Sequence, residues 1–154
     1  MKSLTEEKYV FYRICTGDIQ ECVKTLEMLE HATSESMRVA LIKASIVSYA
    51  RPFSGNQSVY KHENKKLRLD KKYIPKNFIE THDRAIELRD KLIAHSDIPY
   101  RNPELLKSTS HFAIGYNMPL NDAYMEFSKA LYTASTALLK NLWDLTINYE
   151  KEIR

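Results

Sequence analysis

The sequence predicts an all-α fold, an up-and-down helical bundle of four to five helices, and three observations carry this. Apolar residues recur at three- and four-residue spacing over several long stretches, as a helix face turned to a core requires. Glycine and proline are scarce, three and five in 154 residues, too few for the turns of a β-sandwich. A hydrophobic content of 44% beside 28% charged residues is ordinary for a globular chain, and the length suits a single domain, 1–154, with one core.

Taken in order, Ser3 with Glu6 three positions on forms a candidate capping box for a first helix. Tyr9, Val10, Tyr12, Ile14 and Cys15 make that segment apolar. Gly17-Asp18 interrupts the pattern, since glycine costs about 1 kcal/mol in a helix interior and aspartate caps well. Two readings stand: a break followed by a helix from Ile19 to about His31, or one bent helix from Thr5 to His31. The stripe is Ile19, Cys22, Val23, Leu26 and Leu29. Cys15 and Cys22 on one helix would lie roughly 10 Å apart, too far for a disulfide, and read as small buried hydrophobes. After a junction at 32–35, a second helix runs from Ser36 to about Ala50, with Met37, Ala40, Leu41, Ala44, Val47 and Ser48 inward. Pro52 ends it and leaves Arg51 at the helix C-terminus, where the dipole favours a cation.

Residues 54–76 form a long polar connection. From Lys61 to Lys76 there are seven Lys/Arg against Glu63 and Asp70, a net +5, while the rest of the chain sums to −2. The plain reading is a solvated loop. The functional one is an RNA-backbone contact through Lys65, Lys66 and Arg68, with Tyr60 and Tyr73 placed to stack on bases. Pro75 and Asn77, with Glu80 completing a capping box, open a third helix to about Ser96. Its stripe pairs Phe78, Ala85 and Leu92 with Ile79, Ile86 and Ile93. Ile98-Pro99 and Asn102-Pro103 end it. Irregular chain is expected from Tyr100 to Leu120, with Phe112–Tyr116 as a short extended piece. A final helix runs from Asn121 to about Lys151 on Tyr124, Phe127, Leu131, Ala134, Leu138, Leu142, Leu145 and Tyr149. Leu139 and Trp143 lie off this stripe, available for a second contact such as another subunit.

Several function classes are excluded as expectations. No apolar run reaches the roughly 20 residues of a membrane span, so no membrane is expected. The N-terminus carries no apolar signal region, which predicts a cytoplasmic protein. No Cys-x-x-Cys or His-Glu-x-x-His pattern occurs, and no metal is expected.

The chemistry concentrates in Arg89-Asp90-Lys91-Leu92-Ile93-Ala94-His95. His82, Arg89 and Ser96 fall on the inner side of the third helix. An inward arginine is costly to bury unless paired, so Arg89 has either a structural partner or a task. This seven-residue stretch resembles the R-x(4-6)-H signature of HEPN domains, including the polar residue directly after the arginine. The run RDKLIAHSD is most similar to HEPN proteins of abortive-infection and toxin systems. Ser48–Phe53 is similar to what such proteins carry at the end of an earlier helix. The resemblance implies a helical bundle and a homodimer in which the motif helices of two subunits line a shared cleft. It implies a metal-independent endoribonuclease of the toxin–antitoxin or phage-defence type, without cofactor, acting on RNA and held by an antitoxin protein. Arg89, His95 and Asp90 would be its catalytic residues. One departure stands: where some HEPN toxins carry a tyrosine that a partner nucleotidyltransferase modifies, this chain has Asp97, and the nearest tyrosine is Tyr100.

The residue types suit that reaction. Attack of a 2′-hydroxyl on the adjacent phosphate needs proton acceptors and donors near neutral pH, the province of histidine, and a fixed cation for the phosphate, the province of arginine. On a regular helix, residues six apart point about 120° away from each other, so Arg89 and His95 do not converge within one straight helix. Either the helix ends near Ala94, or two copies meet across a two-fold axis. Asp90 would orient His95 or hold Arg89. Arg51 would add a cation to the cleft, its plainer role being a structural ion pair with a carboxylate such as Asp90 or Glu87. His82 reads as a core histidine and His111 as a loop residue. The competing function is a non-catalytic HEPN-like module that binds nucleotide or protein partners. There Arg89 holds a carboxylate and His95 caps carbonyls at the helix end.

Overall fold

The computed structural model of the protein describes residues 4–55, 67–94, 103–107, 112–116 and 122–153. Four helices pack against one another: α1 (Leu4–Glu27), α2 (Glu35–Ala50), α3 (Ile79–Leu88) and α4 (Asp122–Ile153). An antiparallel hairpin, β1 (Pro103–Lys107) with β2 (Phe112–Tyr116), lies between α3 and α4 in sequence, Leu105 opposite Ile114. The helical bundle is as expected; β1 departs from the expectation of irregular chain, while β2 coincides with the anticipated extended piece. No helix of the described residues is long and apolar enough to cross a membrane.

Helix α1 runs through Gly17 without a break, and the α-helix gives way to a 3-10 turn at Met28–His31. Packing overrides the glycine: Phe11, Cys15, Ile19, Cys22 and Leu26 form one buried stripe that spans it. Helix α4 lies antiparallel to α1. Tyr12 stacks on Tyr149, Cys22 Sγ is 3.4 Å from Ser135 Oγ, and Tyr132 donates to Glu27. Leu131, Ala134, Leu138 and Leu142 of the expected stripe are fully buried. Leu139 packs against the core, while Trp143 is exposed beneath the Arg13 guanidinium, 5.0 Å from its ring.

Helix α2 begins at Ser34, whose hydroxyl accepts the Met37 N–H. Its inward face is Ile42, Ser45, Ile46, Tyr49 and Ala50, together with Ser48. The expected face is corrected: Met37, Ala40 and Ala44 are exposed. The helix is apolar nearly all round, so spacing alone did not mark one side. Ser45 sits in the core because its hydroxyl donates to the Ile42 carbonyl.

The end of the long connection is pinned rather than loose. Leu69 and Ile74 are core residues, and the Leu69 N–H donates to the Pro52 carbonyl at 2.8 Å. Asp70 caps a 3-10 turn at Lys71–Tyr73. A second 3-10 turn, Lys76–Phe78, leads into α3, so the capping box expected from Asn77 is not formed and Phe78 precedes the helix without a side-chain cap.

Candidate functional site

Helix α3 presents His82, Ala85 and Leu88 to the core. Directly after Leu88 the coil widens: Arg89–Ala94 is a π-helical turn. The change happens at Arg89, whose backbone N–H is shared between the carbonyls of Ala85 and Ile86. Helix α2 packs against both α3 and this turn. π-Helical turns are rare and frequently coincide with functional sites. In this chain the turn covers six of the seven motif residues.

The Arg89 side chain is 29% exposed, so it is largely buried. Its Nε lies 2.9 Å from Asp90 Oδ1, an ion pair. The N–H is not aimed at that oxygen, so the contact is electrostatic, and the buried Nε has no hydrogen-bond partner among the described residues. Ser48 Oγ on α2 is the other such buried atom among those residues. A buried donor left unmatched costs about 1–3 kcal/mol, so Arg89 Nε and Ser48 Oγ are both incompletely satisfied by the described residues. Asp90 holds Arg89, one of its two expected roles.

Arg51 takes the plainer of its two expected roles, but with other partners. Its Nη1 is 2.6 Å from Glu21 Oε2 and 3.3 Å from Asp18 Oδ1, both on α1. Asp90 and Glu87 are therefore not its carboxylates; Glu87 instead meets Arg84 at 2.8 Å and Lys91 at 3.2 Å. Burial raises the Asp18 carboxyl above its usual range against the pull of Arg51, whereas Arg51 itself is raised chiefly by Glu21. Glu21 is thus the partner that favours the guanidinium most, and at Asp18 burial outweighs the pull of Arg51.

His82 is a core histidine, as expected. It is 5% exposed, its Nδ1 is 3.2 Å from the Tyr49 hydroxyl, and the Phe53 ring stands edge-on with centroids 4.5 Å apart. Burial first, and then the nearby Lys71 charge, lower its pKa to about 4, with Asp83 opposing. Burial raises Tyr49, so at neutral pH both groups are neutral and share one hydrogen bond between the hydroxyl and Nδ1. This pair is packing rather than acid–base machinery. The cysteines are free and fully buried, each thiol pushed up to about 12 by burial.

Of the basic stretch, Arg68 is described and exposed. Lys71 is paired with Asp83, and Lys72 lies 3.7 Å from Asp70 and over the Tyr73 ring. Tyr73 is engaged on the protein itself, edge-on to Tyr12, and its carbonyl accepts from Asn141. His95, Lys65, Lys66, Tyr60, Asp97 and His111 lie outside the described residues. The structure thus brings Arg89 and Asp90 together beside α2 and sets Arg51 in a separate cluster on α1. Arg-Asp-Lys-Leu-Ile-Ala contains no proline or glycine, so no sequence signal announced the π turn.

No protein-family model matches the chain, and no curated protein and no solved structure matches it.

Proposed function

We propose that the protein is a metal-independent endoribonuclease of the HEPN kind, with a composite site formed where the motif turns of two copies meet. The observation that supports this most is Arg89. It is anchored by its own backbone at the start of a π turn, held electrostatically by Asp90, and carries a buried N–H without a hydrogen-bonded acceptor. A guanidinium so placed favours an anion with two or more oxygens, such as a phosphodiester, over a buried structural pair. Paired copies would supply two Arg89 and two His95, giving proton acceptor, proton donor and phosphate clamp together. In this reading Arg89 stabilises the charge that builds on the phosphate during 2′-hydroxyl attack. His95 moves the protons, and Asp90 fixes the guanidinium. Arg68 with Lys65 and Lys66 contacts the RNA backbone; Arg51, committed to α1, contributes to the fold. The biological role that fits is a toxin in phage defence, restrained by an antitoxin.

The test is controlled induction in bacteria of the wild type, Arg89→Ala and His95→Ala at matched protein levels. Growth arrest with loss of cellular RNA is expected for the wild type alone. Equal behaviour of the three would mean that the chain is the non-catalytic binding module instead.

A further inference from the structure

Helix α1 gives way to the 3-10 turn at Met28–His31, and the first half of α4 passes beside that junction. Between them lies an open cleft of about 490 Å³, within the range that holds a small molecule. Its apolar part is Leu26, 5% exposed, with Leu29 and Met125, both packed against the core. The hydroxyl protons around it are already engaged inside the protein. Ser128 donates to the Met125 carbonyl, Thr133 to the Lys129 carbonyl and Tyr132 to Glu27. What the wall still offers is mainly acceptors. Glu27 and Glu30, three apart on one coil, both line the cleft, and like charges so placed repel. Both act on the Tyr132 hydroxyl, whose proton is held above its usual range first by the bond to Glu27 and, to a smaller extent, by the Glu30 charge. Glu30 has no hydrogen bond or ion pair through its side chain among the described residues, and Lys129 in the same wall pairs with neither carboxylate.

We propose that this cleft binds a small organic amine, its apolar body on Leu26, Leu29 and Met125 and its ammonium between the Glu27 and Glu30 carboxylates. Each part of the lining selects. An apolar body gains by covering surface that the fold leaves in water. A protonated amine brings three donors to a wall of acceptors and relieves the repulsion between the two carboxylates. The Tyr132 ring at the rim adds attraction for a cation. Two carboxylates and one lysine give the lining a net charge of −1, which matches a single positive charge, and Lys129 works against a second one. A carboxylate on the same apolar skeleton would meet the two glutamates as like charges, so the cleft discriminates by repulsion as well as attraction. The site is built from α1, the turn after it and α4, and uses no residue of Arg89–Ala94. It does not rest on the ribonuclease reading.

The experiment titrates the full-length protein with tryptamine, phenethylamine, indolepropionate and spermidine, reading the heat of binding and the thermal midpoint. Two variants accompany the wild type. Glu30→Gln removes a charge that no side-chain contact among the described residues uses, and Thr133→Trp, at an exposed position of the wall, fills the cleft. Without ligand both should melt within about 2 °C of the wild type, as surface changes do. Tryptamine or phenethylamine is expected to bind the wild type one to one and to raise its midpoint. The same amine should bind Glu30→Gln at least about tenfold more weakly, the loss of one charged hydrogen-bond partner, and Thr133→Trp not at all. Indolepropionate should bind at least about tenfold more weakly than tryptamine. No saturable binding by either amine overturns the proposal, and so does equal binding of tryptamine and indolepropionate, which would make the cleft merely apolar. Spermidine binding more tightly than both monoamines overturns it too, because an acidic surface alone would then suffice. Undiminished amine binding to both variants would place the amine elsewhere.

Discussion

Among single residues, the buried histidine gives the clearest pH signature. The pKa of His82 lies near 4 in the folded chain and near 6.5 when unfolded. Between those values the unfolded state binds a proton that the folded state refuses, so stability is full above about pH 6.5 and falls as the pH drops toward 4. The shift corresponds to roughly 3 kcal/mol. Urea titrations from pH 7 to 4.5 should show this decline in the wild type and a flatter profile in His82→Gln, which keeps a polar group opposite Tyr49. Arg51 makes a contrasting case. It is half exposed, and its best contact is with the exposed Glu21, so Arg51→Met should lower stability by less than about 1 kcal/mol. That loss should shrink in high salt, and RNA cleavage should be unchanged, since the guanidinium already serves α1. Arg89 differs from both because its surroundings on the described elements leave it incompletely satisfied.

At the level of elements, α1 carries a cost that nothing in its packing demands. A Cβ built at Gly17 meets no atom within 4 Å, and the backbone there is ordinary helix. Gly17→Ala should therefore stabilise by about 0.5–1 kcal/mol, raising the thermal midpoint by roughly 1–4 °C. Ser34→Ala should do the reverse by about 1 kcal/mol, because the Met37 N–H loses its acceptor. These elements also show what the sequence could and could not disclose. The stripes of α1 and α4 were legible because their apolar residues fall on one side and charged residues on the other. The interruption at Gly17-Asp18 misled because a local penalty near 1 kcal/mol is small beside five buried side chains. The face of α2 was illegible because apolar residues surround it, and its two buried serines look polar until their backbone and tertiary surroundings are known. Leu69 and Ile74 were hidden in a charged stretch, where two apolar residues give no period. Within the motif, Arg89 and its pairing with Asp90 were readable from residue types. The widened turn was not, since the residue types of Arg89–Ala94 favour a continued α-helix.

For the molecule as a whole, the bundle is a frame that holds α3 between α2 and α4 and delivers the π turn beside α2. The antiparallel pairing of α1 with α4 gives that frame its rigidity, through the buried run from Leu26 to Phe11 against Leu131 to Leu142. If two copies assemble the proposed site, the purified protein should have twice the chain mass in solution. Arg89→Ala should retain that mass while losing activity, which separates assembly from chemistry. The most direct test of the central claim is cleavage of a defined RNA by purified protein in excess EDTA, with the ends of the fragments identified. The account predicts fragments ending in 2′,3′-cyclic phosphate, and a loss of at least about 100-fold in rate on changing either Arg89 or His95 to alanine. Intact RNA with the wild type, or equal cleavage by the wild type and both variants, would contradict it.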